Sequence, residues 1–433
     1  MWSELNKAEI KIRRTNQLRG TVKAPPSKSY THRALIAASL SEGSSTIVTP
    51  LICDDTEATI EAIVAYGAKL EEKNERLVVK GLRKPITPSE VINCRNSGST
   101  LRFITPILAH TTGASTLTGG ESLRRRPMKP LLSALKQLGV DCCSASEEGY
   151  APIVVFGGGI RGGEASLPGD VSSQFISGLL FSSPLSDSDV IVRLTSPLES
   201  APYVEMTLQI LEKHGIRVDA SKDLRQYRVL GRQLYSHSDH KVPGDYSSAS
   251  FILAAAALLS SKIRVKNLEK TSPQGDRAMV SILSKMGVEV KFGEGYVDVG
   301  GGELRRTTID AKDTPDLVPA CVALACYADG ETEIRNVRRL RVKESDRVDA
   351  LTMEIGKMGA RISLHGDELR VKGPCRLHGA TVDPRNDHRV AMACAVAALG
   401  AEGETRIMNP SCVEKSYPNF FRDLRLLGAE VED

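Results

Sequence analysis

Six amphipathic runs, each closed by a glycine, recur along the chain. They are AIVAYG at Gly67, SALKQLG at Gly139, LQILEKHG at Gly215, SILSKMG at Gly287, EIGKMG at Gly359 and LRLLG at Gly428. Their spacings are 72, 76, 72, 72 and 69 residues. A glycine in that place predicts the left-handed residue just past a helix end. In five of the six, an alternating stretch such as VEVKF or ARISL follows and predicts a strand. A second pattern keeps the same beat: a small-polar cluster opens a nearly all-apolar run at SKSYTHRALIAASL, NSGSTLRFITPILA, VSSQFISGLLF, YSSASFILAAAALL, TPDLVPACVALAC and NDHRVAMACAVAAL. With Lys28, Ser97, Ser172, Ser247, Asp316 and Asp387 as markers, its intervals are 69, 75, 75, 69 and 71. Helices that are apolar all round belong at the centre of a domain.

Each repeat therefore reads as a capped buried helix, a strand, a surface helix, a glycine and further strand. Six repeats predict an α/β chain of two domains with three units each. The first is expected over 21–239, and the second over 240–433 together with 1–20. Hinges are expected near 14–21 and 234–243, where YSHSDHKVPG is polar and rich in breakers. The strand-like EIKIRR near the N-terminus is placed with the second domain. The period is too long and the pattern too mixed for a solenoid.

Composition narrows the function classes. The 433 residues, at ~150 per domain, allow two or three domains. Lys and Arg number 57 against 53 Asp and Glu, a net charge of +4, too balanced for a nucleic-acid coat. Aromatics at 4% argue against stacking platforms for bases. The longest apolar run, Phe251 to Leu259, is far short of the ~20 residues that span a bilayer. Met1 to Arg14 has no signal-peptide apolar region. Nine cysteines without metal-ligand spacing predict reduced, buried thiols in a cytoplasmic protein.

An anion site must then be a local concentration of cations, and the starts of the apolar helices supply one. Helix N-termini pool partial positive charge, and polar residues there suit an anionic ligand. Lys28 and Ser29, Asn96 to Ser99, Ser172 to Gln174, Asp316, and His388 with Arg389 all fall at such starts. Ordinary N-capping explains the serines and aspartates. Lys28 and Arg389 do not fit that explanation, since a cation is unfavourable at a helix N-terminus without an anion. Loops before the surface helices add Arg126, Lys343 with Glu344 and Arg347, and Lys415. Lys343 and Arg347 share a face if their segment is helical. Gly157, Gly159 and Gly162 match a dinucleotide-binding spacing, but GEASLPGD follows where a helix would have to open. His237, Asp239 and His240 read as a solvated linker, with no second ligand pair to make a metal site.

The motifs resemble those of the 5-enolpyruvylshikimate-3-phosphate synthase family. The likeness rests on Pro26-Ser27-Lys28-Ser29 with Arg33, Asn96-Ser97-Gly98-Ser99-Thr100-Leu101-Arg102, Arg125-Arg126-Pro127 and Ser172-Ser173-Gln174-Phe175. It continues through Arg341-Val342-Lys343-Glu344-Ser345-Asp346-Arg347 and Asn386-Asp387-His388-Arg389, in order along nearly the whole chain. Pro26 stands where glycine is common, Ser99 where threonine is usual, and Arg339 where many members have a polar residue. The resemblance implies a two-domain inside-out α/β barrel, each domain of three βαβαββ units. It implies transfer of the enolpyruvyl group of phosphoenolpyruvate to the 5-hydroxyl of shikimate 3-phosphate, in aromatic amino acid biosynthesis. A tetrahedral intermediate is formed and phosphate released, by acid–base chemistry without metal or cofactor.

Carried over by motif, Lys28, Arg126, Arg347, Arg389 and Lys415 are implied to hold phosphoenolpyruvate, with Gly98 and Gln174 beside it. Ser29, Arg33, Ser172, Ser173, Ser200, Tyr203, Asp316 and Lys343 are implied to hold shikimate 3-phosphate, with Lys28 and Gln174 also in reach. Asp316 is implied to take the hydroxyl proton, and Glu344 with Lys28 to move the proton at C3. An intact Gly98 implies susceptibility to phosphonates that mimic phosphoenolpyruvate, such as glyphosate. Substrate-driven domain closure and a monomer that binds neither nucleic acid nor membrane complete the expectation. One alternative is the sister UDP-N-acetylglucosamine enolpyruvyl transferase, which has Lys-Asn at Lys28-Ser29 and a loop cysteine that GGESLRRRPMK lacks. The other is a non-catalytic anion-binding protein on the same scaffold.

Overall fold

The computed structural model describes residues 9–146 and 149–433. Residues 1–8 of the segment assigned to the second domain lie outside that range. The chain divides into two compact units. One is Pro26–Val242, and the other is Pro243–Asp433 with the N-terminal segment up to Pro25. The N-terminal crossing falls later than the expected 14–21 because strand Arg19–Lys23 pairs along its whole length with Lys262–Lys266.

Within 26–242, three four-stranded sheets repeat one topology. A strand runs parallel to its neighbour, and two antiparallel strands follow. The neighbours in order are His240–Lys241, Ser44–Val48, Arg76–Lys80 and Lys69–Lys73; then Ile92–Asn93, Ala114–Thr118, Ile153–Phe156 and Cys142–Ser144; then Gly163–Leu167, Val190–Leu194, Gln226–Val229 and Val218–Ala220. The other unit repeats the pattern three times. Arg19–Lys23 leads Lys262–Lys266, Tyr296–Gly302 and Val288–Gly293; Thr308–Asp310 leads Gly330–Arg335, Glu368–Gly373 and Ile362–His365. In the last sheet Thr381–Val382 and Glu404–Met408 are followed by Glu9–Arg13 and Val431–Glu432. Parallel neighbours require a crossover, and in the second and third sheets of each unit the apolar helix is that crossover. The first sheet of each unit draws its parallel strand from elsewhere in the chain, His240–Lys241 and Arg19–Lys23 respectively.

The apolar helices are the cores. In 26–242 they are Lys28–Ser39, Gly98–Leu108 and Ser173–Ser182. In the other unit they are Tyr246–Leu258, Val318–Ala325 and His388–Ala398. Every residue of His388–Ala398 is buried, as is every residue but the last of Tyr246–Leu258. The sheets and amphipathic helices wrap these cores, so the order of layers is inverted relative to a sheet-centred α/β domain. Each surface helix ends at its glycine, and all six glycines have φ between 76° and 114°. Any other residue there would be strained.

Among the described residues, no helix is long and apolar enough to cross a membrane. Gly157 to Gly162 join two strands, and no helix opens there. No group of three or more described His, Cys, Asp or Glu residues is disposed to hold a metal.

Candidate active site

In 26–242 the implied residues collect at the N-termini of the core helices. Ser27 caps the first helix by accepting from the Tyr30 N–H, and Lys28 opens its first turn. The Lys28 ammonium is held by Asp55 Oδ2 at 2.8 Å. Asp55 lies in the first turn of Asp54–Ala65, where a carboxylate is favoured, so it offsets the cost of a cation at the neighbouring helix start. Arg33 is only 2% exposed. Its guanidinium donates to Thr207 Oγ1 at 2.8 Å and to the Ser29 and Tyr203 carbonyls at 3.0 and 2.9 Å, and it lies 5.2 Å from the Phe103 ring centroid. Burial pushes it down to about 10. Arg33 thus braces the helix carrying Ser29 against the one carrying Tyr203, with part of its donor fork already committed.

Gly98 opens the second core helix, behind the Ser97 cap. A Cβ at Gly98 would stand 2.7 Å from Arg126 Nη1 and 3.6 Å from both Arg102 Nη1 and Gln174 Oε1. The missing side chain is what lets the buried Arg126 lie against the helix start. Gln174 accepts from Arg102 Nη1 at 2.7 Å and donates to Ser99 Oγ at 2.7 Å, which fixes its amide. Ser172 caps the third helix through the Gln174 N–H, also receives Arg102, and is followed by the buried Ser173. Ser200 sits in a left-handed conformation, φ 59°, directly before Ala201–Lys213, the helix that bears Tyr203. A serine held there is uncommon and indicates a position fixed by its surroundings.

In the other unit the residues converge on Asp316, in the turn Pro315–Leu317 that leads into Val318–Ala325. Its Oδ1 lies 2.9 Å from Arg347 Nη1, 3.5 Å from Arg389 Nε and 3.6 Å from Lys343 Nζ. Burial alone would raise the Asp316 carboxyl, but Arg389, Lys343 and Arg347 hold it well below the usual carboxylate range. Arg347 is 1% exposed and binds three carboxylates, adding Asp387 at 2.8 Å and Glu344 at 2.7 Å. Burial opposes its charge, and those carboxylates outweigh burial. Burial lowers Lys343, with Asp316 opposing and Arg347 and Arg339 assisting. Lys415 donates to the Asn386 carbonyl at 2.8 Å.

Lys343 and Arg347 do not share a helix face. Lys343 ends the short turn Arg338–Val342 in extended backbone, and the helix begins only at Arg347. They meet because both reach Asp316. Arg339 is buried and donates to the Lys312 carbonyl at 2.5 Å.

Some residues that organise the site were given no role by the motifs. Asp387 caps His388–Ala398 through the Arg389 N–H, accepts from Ser345 at 3.0 Å and anchors Arg347. In the sequence it belongs to the Asn386-Asp387-His388-Arg389 motif, but nothing there gives it a role beyond capping. Asp276 is buried, accepts from Ser247, and is pushed up to about 7 by burial and the charge of Asp316. His240 faces His214, Nε2 to Nε2 at 2.8 Å, and is not solvated.

One unit thus carries Lys28 at a buried helix start, and the other a carboxylate, Asp316, held among Arg347, Arg389 and Lys343. Solved structures that share its fold include an EPSP synthase and an enolpyruvyl transferase. EPSP synthase from Acinetobacter baumannii superposes with a TM-score of 0.82 at 23% identity, over 98% of this chain and 99% of that one. The enolpyruvyl transferase NikO from Streptomyces tendae gives 0.80 at 19%, over 98% of each. The family model of EPSP synthase, 3-phosphoshikimate 1-carboxyvinyltransferase, matches residues 12–424. Proteins named 3-phosphoshikimate 1-carboxyvinyltransferase are 44% identical in Methanocaldococcus jannaschii, over 97% of this chain and 98% of that one, and 45% identical in Methanocella arvoryzae, over 95% and 97%. The chain belongs to the EPSP synthase family, and it is a transferase.

Proposed function

We propose that this chain transfers the enolpyruvyl group of phosphoenolpyruvate to the 5-hydroxyl of shikimate 3-phosphate through the two residue sets above. The match of the family model across residues 12–424 carries this reading. Lys28, Arg126, Arg347, Arg389 and Lys415 neutralise phosphoenolpyruvate, with Gly98 and Gln174 shaping its seat. Ser29, Arg33, Ser172, Ser173, Ser200, Tyr203 and Lys343 receive shikimate 3-phosphate. Asp316 takes the proton of the attacking hydroxyl. Glu344, with Lys28, delivers a proton to C3 and later removes one from the methyl group. Atoms balance without a cofactor: the hydroxyl oxygen bonds to C2, C3 gains a proton, and phosphate leaves as the enol ether re-forms.

The electrostatics of Asp316 give the reaction an internal trigger. With Arg389, Lys343 and Arg347 turned on it, the carboxylate is a weak base. Substrate phosphates and carboxylates that draw on the same cations raise its proton affinity when the hydroxyl arrives. The reading includes a cytoplasmic monomer. Phosphate release from phosphoenolpyruvate tests the function. It is expected only with shikimate 3-phosphate, and release with UDP-N-acetylglucosamine instead would move the chain to the sister activity.

A further inference from the structure

Cys326 stands at the C-terminal end of the core helix Val318–Ala325, and Cys375 lies just beyond strand Glu368–Gly373. The Cys375 N–H donates to the Cys326 carbonyl at 2.7 Å, so the two backbones lie side by side. A single N–H···O bond of that length holds the two Cα atoms within roughly 6.5 Å, inside the roughly 4.4–6.8 Å over which disulfides form. Each thiol perturbs the other electrostatically, so the two side chains lie near one another. Arg361 flanks Cys375 and donates to the Pro374 carbonyl at 3.1 Å. In the neutral state the Cys375 thiol donates to the Lys372 carbonyl, also at 3.1 Å.

The surroundings of the two sulfurs differ in the way a redox pair requires. Cys375 is 8% exposed, while Cys326 is fully buried. The Cys326 thiol and Arg361 draw Cys375 down to about 5, whereas Cys375 and burial drive Cys326 well up. Burial also pushes up Cys53, Cys94, Cys142, Cys321, Cys394 and Cys412. A thiol drawn down beside a cation, with limited access and a second cysteine paired to it through the backbone, is the arrangement of an attacking and a resolving cysteine.

We propose that Cys326 and Cys375 are a reversible thiol–disulfide pair, a modification site at the far end of the helix whose opening turn carries Asp316. The oxidant is a small disulfide such as oxidised glutathione. The Cys375 thiolate attacks one sulfur and releases one glutathione thiolate, leaving a mixed disulfide. Cys326 then loses its proton, attacks the Cys375 sulfur and expels the second glutathione, which takes up that proton. Two protein thiols are oxidised and one disulfide is reduced to two thiols. The cross-link closes a loop of about 50 residues and fastens the core helix to the end of an interior strand, which raises the Tm by roughly 5–15 °C.

The test treats the full-length chain with oxidised glutathione, alkylates residual thiols and maps the peptides by mass spectrometry. The expected product is a Cys326–Cys375 cross-link, reversed by dithiothreitol and accompanied by the rise in Tm. Cys375→Ser abolishes both, and Cys143→Ser, at the exposed cysteine, changes neither. Recovery of Cys326 and Cys375 as free thiols, of Cys375 as a stable glutathione adduct, or of a Cys326–Cys394 cross-link overturns the proposal. The mapping of the unsubstituted chain decides the matter even if Cys375→Ser does not fold.

Discussion

Acid should weaken the unit of residues 26–242 far more than the other, because four buried neutral histidines lie within it. His214 Nδ1 faces the Ser236 carbonyl at 2.7 Å, so that nitrogen carries the proton. Its Nε2 then accepts from His240 Nε2–H at 2.8 Å, and His240 Nδ1 accepts from the Tyr30 hydroxyl at 3.4 Å. Lys213 donates to that hydroxyl at 3.1 Å and ends the relay on a cation. An added proton on His214 would set two N–H groups against each other, and one on His240 would turn its Nδ1 from acceptor to donor against the Tyr30 hydroxyl. His110 Nε2 meets the Ser182 carbonyl and hydroxyl at 3.0 Å each, and His32 Nδ1 meets Thr59 Oγ1 at 2.7 Å. Burial pushes His32 and His240 down to about 3, and His110 and His214 to about 4.

The sign follows from linkage. These folded-state values lie below the unfolded ~6.5, so the stabilisation is present above that pH and is lost as pH falls from there toward the folded values. At pH 5 the unfolded chain has taken up nearly one proton per histidine that the folded unit has not. That costs about 2 kcal/mol for each, and roughly 8 kcal/mol for the four as a ceiling. A domain's whole stability is only ~5–15 kcal/mol. Asp276, in the other unit, has the opposite sign. Burial and Asp316 raise it to about 7, above the unfolded 3.8, so its unit gains stability as pH falls through 7. Hydrogen exchange by mass spectrometry at pH 7 and 5, corrected for intrinsic rates, reads both effects. Protection should fall by orders of magnitude in Gly98–Leu108 and Ser173–Ser182 and hold in Tyr246–Leu258 and Val318–Ala325. Unchanged protection in the first pair, or an equal loss in both, would refute the reasoning.

Gly98→Ala places a methyl group 2.7 Å from Arg126 Nη1. It should raise the KM for phosphoenolpyruvate about tenfold and weaken phosphonate inhibition further, while Tm stays within a few degrees (steady-state kinetics and calorimetry). Arg347→Met removes the partner of Asp387, Glu344 and Asp316. It should cost about 3–5 kcal/mol in urea unfolding, localised to the unit that holds them, and abolish turnover. Lys28→Met leaves Asp55 without its ammonium and should lower kcat/KM for phosphoenolpyruvate by at least ~100-fold, with little change in secondary structure by circular dichroism.

The repeat was legible because glycine at a helix end and an all-apolar helix are local demands, each written at one place in the chain. Lys28 and Arg389 stood out for the same reason, since a cation at a helix start is a local anomaly. What settles it is long-range, as in Asp55 reaching Lys28 and Asp316 reaching Arg389. Asp387 shows the limit well. Its motif marks the position but not the role, and only the packing of Arg347 against it makes it an anchor of the site. The i,i+4 spacing of Lys343 and Arg347 implied a shared face, yet the backbone there is extended and tertiary convergence does the work. The Pro25–Pro26 crossing was hidden because Arg19–Lys23 finds its partner more than two hundred residues away.

Single-turnover kinetics of Asp316→Asn tests most directly whether this carboxylate is the proton acceptor. The amide keeps the size of the side chain and removes its basicity. Phosphate release should fall ~100- to 10,000-fold, while the KM for shikimate 3-phosphate moves by less than tenfold. Release within tenfold of the unsubstituted chain would mean that the hydroxyl proton leaves by another route and that Asp316 serves only to hold Arg347, Arg389 and Lys343 in place.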